Sequence, residues 1–92
     1  MKQSFVYIVT NKYRTTFYTG MTSDLNRRIV EHMTGEGSKF TSKYNLTDLV
    51  YYEVFSDIEQ AIAREKQLKN WHHDWKVNLI KQHNPTLKTL DY

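Results

Sequence analysis

The stretch that most constrains this chain runs from Phe5 to Arg28. In Phe5-Val6-Tyr7-Ile8-Val9 both alternating sets of side chains are apolar. A strand with two apolar faces belongs in the middle of a sheet, covered on both sides. The polar segment Asn11-Lys12-Tyr13-Arg14 follows, and residues 16–19 pair back as the second arm of a hairpin. Gly20 closes that run and is expected to let the backbone turn into a helix. Ser23 or Asp24 supplies the helix cap. On the helix, Leu25, Ile29 and Met33 recur at i, i+4 and i+8 and form the apolar stripe. His32 lies at the edge of that stripe, Arg28 one step further round, and Arg27 points away.

With 92 residues a single domain is expected, over 1–85, with a short tail at 86–92. No cysteine is present, which excludes a disulfide framework and a thiolate metal site. No long apolar run follows Met1, so neither a signal peptide nor a membrane span is expected, and a cytoplasmic location is. The net charge of +3 suits a polyanionic partner without demanding one. Residues 34–47 contain two glycines and are expected to form a long loop, of the kind that is often functional in a small domain. Lys39 and Lys43 stand there beside Phe40 and Tyr44: cations for phosphates and rings for bases, or rings that dock on the core.

A third strand is expected over residues 49–55, followed by Ser56-Asp57-Ile58-Glu59, which reads as a capping box with Ser56 as the cap. The helix it opens runs to about Asn70. Ile58, Ala61, Ile62 and Leu68 share its apolar face, with Glu65 in the middle; Arg64, Lys66, Gln67 and Asn70 look outward, and Lys69 returns to the Glu65 side. A last helix begins near His72 or His73, with Trp71, Trp75 and Leu79 at i, i+4, i+8 and Ile80 beside them; Asn84-Pro85 stops it.

Two polar groups on apolar faces point to chemistry. A buried carboxylate is costly unless it is paired or coordinates a metal, so Glu65 either forms an ion pair with Arg28 or a lysine, or holds a cation. His32 is either a satisfied core histidine or a participant in a site. Tyr7 and Tyr18 are core residues whose hydroxyls reach a rim. His72, His73 and Asp74 point to different sides of a helix start and chelate poorly together. No Gly-rich phosphate loop, serine-protease spacing or zinc signature is present.

Taken together these elements resemble the GIY-YIG nuclease domain. Phe5-Val6-Tyr7 stands for Gly-Ile-Tyr, Tyr18-Thr19-Gly20 for Tyr-Ile-Gly, Arg28 for the arginine of the next helix, and Ala61-Ile62-Ala63-Arg64-Glu65 for the segment carrying the metal-binding glutamate. Phe5, Val6 and Thr19 depart from the signature; Tyr7, Tyr18 and Gly20 keep it. Gly37-Ser38-Lys39-Phe40-Thr41, residues 64–69 and Asn84-Pro85 look most like small stand-alone bacterial members similar to the amino-terminal nuclease domain found in excinuclease ABC. The resemblance implies an α+β fold, with a three-stranded antiparallel sheet flanked by helices. It implies an endonuclease acting on nucleic acid, DNA first, in a repair or recombination setting. One Mg²⁺ or Mn²⁺ would be held by Glu65, with Arg28 on the phosphate and Tyr7 as base or orienter of the water. Tyr18 would hydrogen-bond nearby, His32 would assist Tyr7, and Lys39, Lys43 and Lys69 would meet the backbone. Asn84 matches an asparagine the family often carries in its last segment. Two other readings stay open: a nucleic-acid-binding module of the same fold with little catalysis, and a protein-interaction domain using Trp71 and Trp75.

Overall fold

The computed structural model describes residues 3–90; the ends of the expected domain and tail, 1–2 and 91–92, lie outside the described residues. The elements run β1 (Ser4–Thr10), β2 (Phe17–Thr22), α1 (Leu25–Met33), α2 (Lys39–Lys43), β3 (Asp48–Phe55), α3 (Ile58–Asn70) and α4 (His73–His83). The strands form one antiparallel sheet in the order β2-β1-β3. The strand with two apolar faces is thus the central one. Tyr7 and Val9 pack with Leu25, Ile29, Leu46 and Leu49 on the α1 side. On the other face Val6 meets Ala61 and Leu68 of α3, and Ile8 meets Val50, Tyr51 and Ile80.

Several local expectations are corrected by the packing. The strand does not end at Gly20; β2 continues to Thr22, with Gly20 opposite Tyr7. Asp24 caps α1, accepting from the Arg27 amide at 3.1 Å. The buried stripe of α1 is Leu25, Ile29 and His32, and Met33 is exposed. Seven residues on, a helix has turned almost back to its starting direction, whereas eight overshoot by most of a right angle, so His32 faces the core. Residues 34–47 are not all loop: Ser38 accepts from the Thr41 amide and starts the one-turn helix α2. In α3 the cap is Asp57, not Ser56, and its side chain accepts from the Glu59 amide.

The inward face of α3 is Ala61 and Leu68 with Arg64 and Glu65 half-buried between them, while Ile58 and Ile62 lie at the surface. Arg64 does not look outward; it pairs with Glu53 of β3 and lies over the Trp71 ring. In α4 the buried residue is Ile80, and Trp75 is exposed. Beyond α4 the segment expected as a tail folds back. Arg14 donates to the Leu87 carbonyl, and the Leu90 amide to the Leu49 carbonyl on the edge of β3.

Candidate active site

The site is built where β1, edge strand β2 and helices α1, α2 and α3 meet. Tyr7 is fully buried, and its ring lies across β2 at the one position in that strand without a side chain. A Cβ on Gly20 would stand 2.4 Å from the Tyr7 hydroxyl, so Gly20 is the space into which that hydroxyl fits. Glycine inside a strand commonly marks such an approach.

Three groups surround this hydroxyl. Arg28 Nε donates to it at 3.2 Å, His32 Nε2 lies 2.9 Å away, and the Glu65 carboxylate is near enough to act on it electrostatically. Burial raises the Tyr7 pKa and Arg28 opposes the shift without cancelling it, so Tyr7 is a neutral phenol at physiological pH. Burial lowers the His32 pKa, and the Arg28 charge adds to this, so the imidazole is neutral. Arg28 also binds Glu31 at 3.1 Å, which leaves its guanidinium only partly committed to Tyr7.

Glu65 enters from α3, its side chain 22% exposed, with Lys69 Nζ 3.7 Å from Oε2. The same Nζ lies 5.7 Å over the Tyr18 ring, which carries the line of contacts back to β2. Tyr18 is half-buried, edge-on to His32, and 6.1 Å from Phe40, which in turn stands 4.9 Å from Tyr44. Lys39 and Lys43 are exposed on α2 beside these rings, with Lys43 Nζ 5.4 Å over Tyr44. Tyr7, Tyr18, Arg28, His32, Glu65 and Lys69 therefore converge, and Lys39 and Lys43 flank them. Asn84 does not join the cluster: its buried amide donates to the carbonyls of Val50 and Lys88 and ties the end of α4 to β3.

The donor set accommodates a hard divalent cation but does not enclose one. Among the described residues no three His, Cys, Asp or Glu side chains converge. Glu65 is a single carboxylate beside which a positive charge, that of Lys69, is already placed. Mg²⁺ and Mn²⁺ typically use one or two carboxylates and complete their shell with water and substrate phosphate, and this arrangement fits that use.

Residues not singled out in the sequence complete the site. His32 Nδ1 lies 3.1 Å from Thr41 Oγ1, and Thr41 is held by Ser38. A Cβ on Gly37 would fall 2.2 Å from His32 Nδ1, so Gly37 opens the space for the ring as Gly20 does for Tyr7. The sequence signal is a pair of glycines, but their partners come from other elements.

An antiparallel β2-β1-β3 sheet carrying a tyrosine on each hairpin strand, an arginine on the next helix and a glutamate on α3 defines a nuclease-type domain. The chain belongs to the GIY-YIG catalytic domain family, whose model matches residues 3–78. A UPF0213 protein of Staphylococcus saprophyticus is 34% identical over 82 residues, covering 89% of this chain and 99% of that protein. One of Staphylococcus haemolyticus is 35% identical over the same shares. The solution NMR structure of a UPF0213 protein from Bacillus halodurans matches with a TM-score of 0.58 at 32% identity, over 89% of this chain and 86% of that one. No helix among the described residues is long and apolar enough to cross a membrane.

Proposed function

We propose that this protein is a divalent-metal-dependent endonuclease that hydrolyses phosphodiester bonds in nucleic acid, DNA before RNA. The observation that carries the reading is the Tyr7 hydroxyl, seated over Gly20, shared by Arg28 and His32, and faced by Glu65. Tyr7 acts as the base: it takes a proton from the attacking water while its own proton passes to His32 Nε2. One O–H bond of the water and the original phenol O–H bond break; a new phenol O–H bond and an imidazole N–H bond form. Arg28 stabilises the phenolate as it develops and meets the scissile phosphate on its free edge. Tyr18 orients the water or a phosphate oxygen. Glu65 would hold the metal, which would supply positive charge at the phosphate and the leaving oxygen. Lys69 would yield Glu65 to a bound cation, and it meets the backbone with Lys39 and Lys43, without reading sequence.

The second reading, a binding module with little catalysis, is favoured by one observation: the run of rings Tyr18–Phe40–Tyr44 beside Lys39, Lys43 and Lys69 grips a strand without needing a reaction. Cleavage of supercoiled plasmid and of branched DNA, with Mg²⁺ or Mn²⁺, separates the two. Wild type is expected to cleave and Glu65→Gln, folded by circular dichroism, to fall to background. Salt-sensitive binding with no cleavage of either substrate by wild type would replace the first reading with the second.

A further inference from the structure

We propose that Thr41 is a positioning residue of this site: its hydroxyl, held by Ser38, accepts from His32 Nδ1 and so fixes the imidazole tautomer whose Nε2 is free to take the Tyr7 proton. The inference rests on the nuclease reading for its purpose but not for its test.

Hydrogen-bond capacity decides the tautomer. Thr41 has one hydroxyl proton and two lone pairs. Three partners surround it: the Ser38 carbonyl at 3.2 Å, the Ser38 hydroxyl at 2.9 Å and His32 Nδ1 at 3.1 Å. The carbonyl can only accept, and it takes the Ser42 amide at 3.0 Å with a lone pair to spare for the Thr41 proton. With its proton placed on Ser38, Thr41 is an acceptor toward His32 Nδ1–H, the arrangement that the hydrogen bonds of Tyr7 require. Nε2 is left as a lone pair facing the Tyr7 hydroxyl, which donates to it while accepting from Arg28 Nε.

The opposite tautomer fails on count. His32 Nε2–H and Arg28 Nε–H would both donate to Tyr7, and the proton of this fully buried phenol would have no acceptor among the hydrogen bonds of the described residues. A buried unpaired donor is costly. The titratable and charged groups around the ring are Tyr7 of β1, Tyr18 of β2, and Arg28 and Glu31 of α1; α2 presents the hydroxyls of Ser38 and Thr41. Gly37 makes the arrangement possible, since any side chain there would collide with Nδ1. The imidazole thus has its orientation set on one nitrogen and its chemistry on the other, a common division of labour for histidine.

The test uses the full chain without metal, its ring nitrogens read by long-range ¹H–¹⁵N NMR at neutral pH. His32 of wild type is expected as the Nδ1–H tautomer. Thr41→Ser keeps it, and Thr41→Val, of nearly the same shape, loses it. With Mn²⁺ and plasmid DNA, Thr41→Val lowers kcat at least about tenfold with little change in KM, and Thr41→Ser restores it. An Nε2–H tautomer in wild type overturns the inference, as does an unchanged Nδ1–H signature in Thr41→Val. If wild type cleaves nothing, the nuclease reading falls, and the tautomer of wild type still decides the role of Thr41.

Discussion

Two polar clusters in this small domain use nearly the same residues to opposite ends. On one side, Tyr7 meets Arg28, His32 and Glu65. On the other, Tyr51 donates to Glu53, and Arg64 binds Glu53 through both Nε and Nη2 while stacking on Trp71. In both, burial raises the tyrosine pKa and an arginine opposes it. At Glu53 burial works against the carboxylate, but hydrogen bonds from Arg64 and Tyr51 outweigh it and hold the group below its usual value. That cluster is closed on its carboxylate: phenol and guanidinium both donate to Glu53, and the remaining Arg64 Nη1 goes to Gln67. In the first, the carboxylate is kept off the phenol, the guanidinium is divided between Tyr7 and Glu31, and the phenol points at a neutral nitrogen. The distinction between a cross-brace and a poised site is therefore in how the groups are paired, phenol to imidazole and carboxylate to lysine in one and both phenol and guanidinium to the carboxylate in the other, not in residue type.

The most damaging way to break the contrast is Gly20→Ala. Its methyl group occupies the place of the Tyr7 hydroxyl, and displacement by about 1 Å is expected to cost on the order of a hundredfold in cleavage. Overpacking adds about 1–3 kcal/mol of instability in urea denaturation. Glu53→Gln tests the other cluster. It leaves a half-buried Arg64 poorly paired and is expected to cost about 2 kcal/mol of stability, with cleavage unchanged below the melting transition.

Acid sharpens the comparison further. The His32 pKa is lowered by folding, so below the ordinary value of 6.5 the unfolded chain binds a proton that the buried ring refuses. That contribution to stability is complete above 6.5 and is lost as the pH falls beneath it. The Glu53 pKa is also lowered, and its contribution is complete above 4.5 and lost as the pH drops through the folded value below that. Urea denaturation as a function of pH should show stability falling first below 6.5, with the Glu53 contribution lost only below 4.5. The smallest effect belongs to the rim: Lys39→Ala and Lys43→Ala should each reduce the salt slope of DNA binding by roughly 0.7–0.9 and leave kcat alone.

What is legible in the sequence depends on how each residue is placed. Tyr7, Tyr18, Arg28 and Glu65 are set by strand register and helical phase, which a sequence displays, whereas His32 takes the buried place that the i+8 spacing assigns to Met33. The central place of β1 is legible because both of its faces are apolar; the three-stranded antiparallel sheet around it is what the family resemblance implies. Thr41 and Gly37 are not, because their partner His32 lies across a turn in an irregular segment with no period. Helical phase misplaces Arg64, whose burial depends on Glu53, a charge on another element, and no periodicity reports such a pairing. Asn84 stands out in the sequence as the stop of α4 and through the family resemblance, and neither reports its bracing role, because its two carbonyl partners come from β3 and from the returning chain.

The most direct test sets Tyr7→Phe beside Tyr51→Phe, each assayed for plasmid cleavage and for urea denaturation. The account predicts that Tyr7→Phe, where folded, loses cleavage by at least about a hundredfold, and that Tyr51→Phe loses stability while cleaving at the wild-type rate where folded. Full cleavage by Tyr7→Phe, or loss of cleavage in a folded Tyr51→Phe, would contradict it.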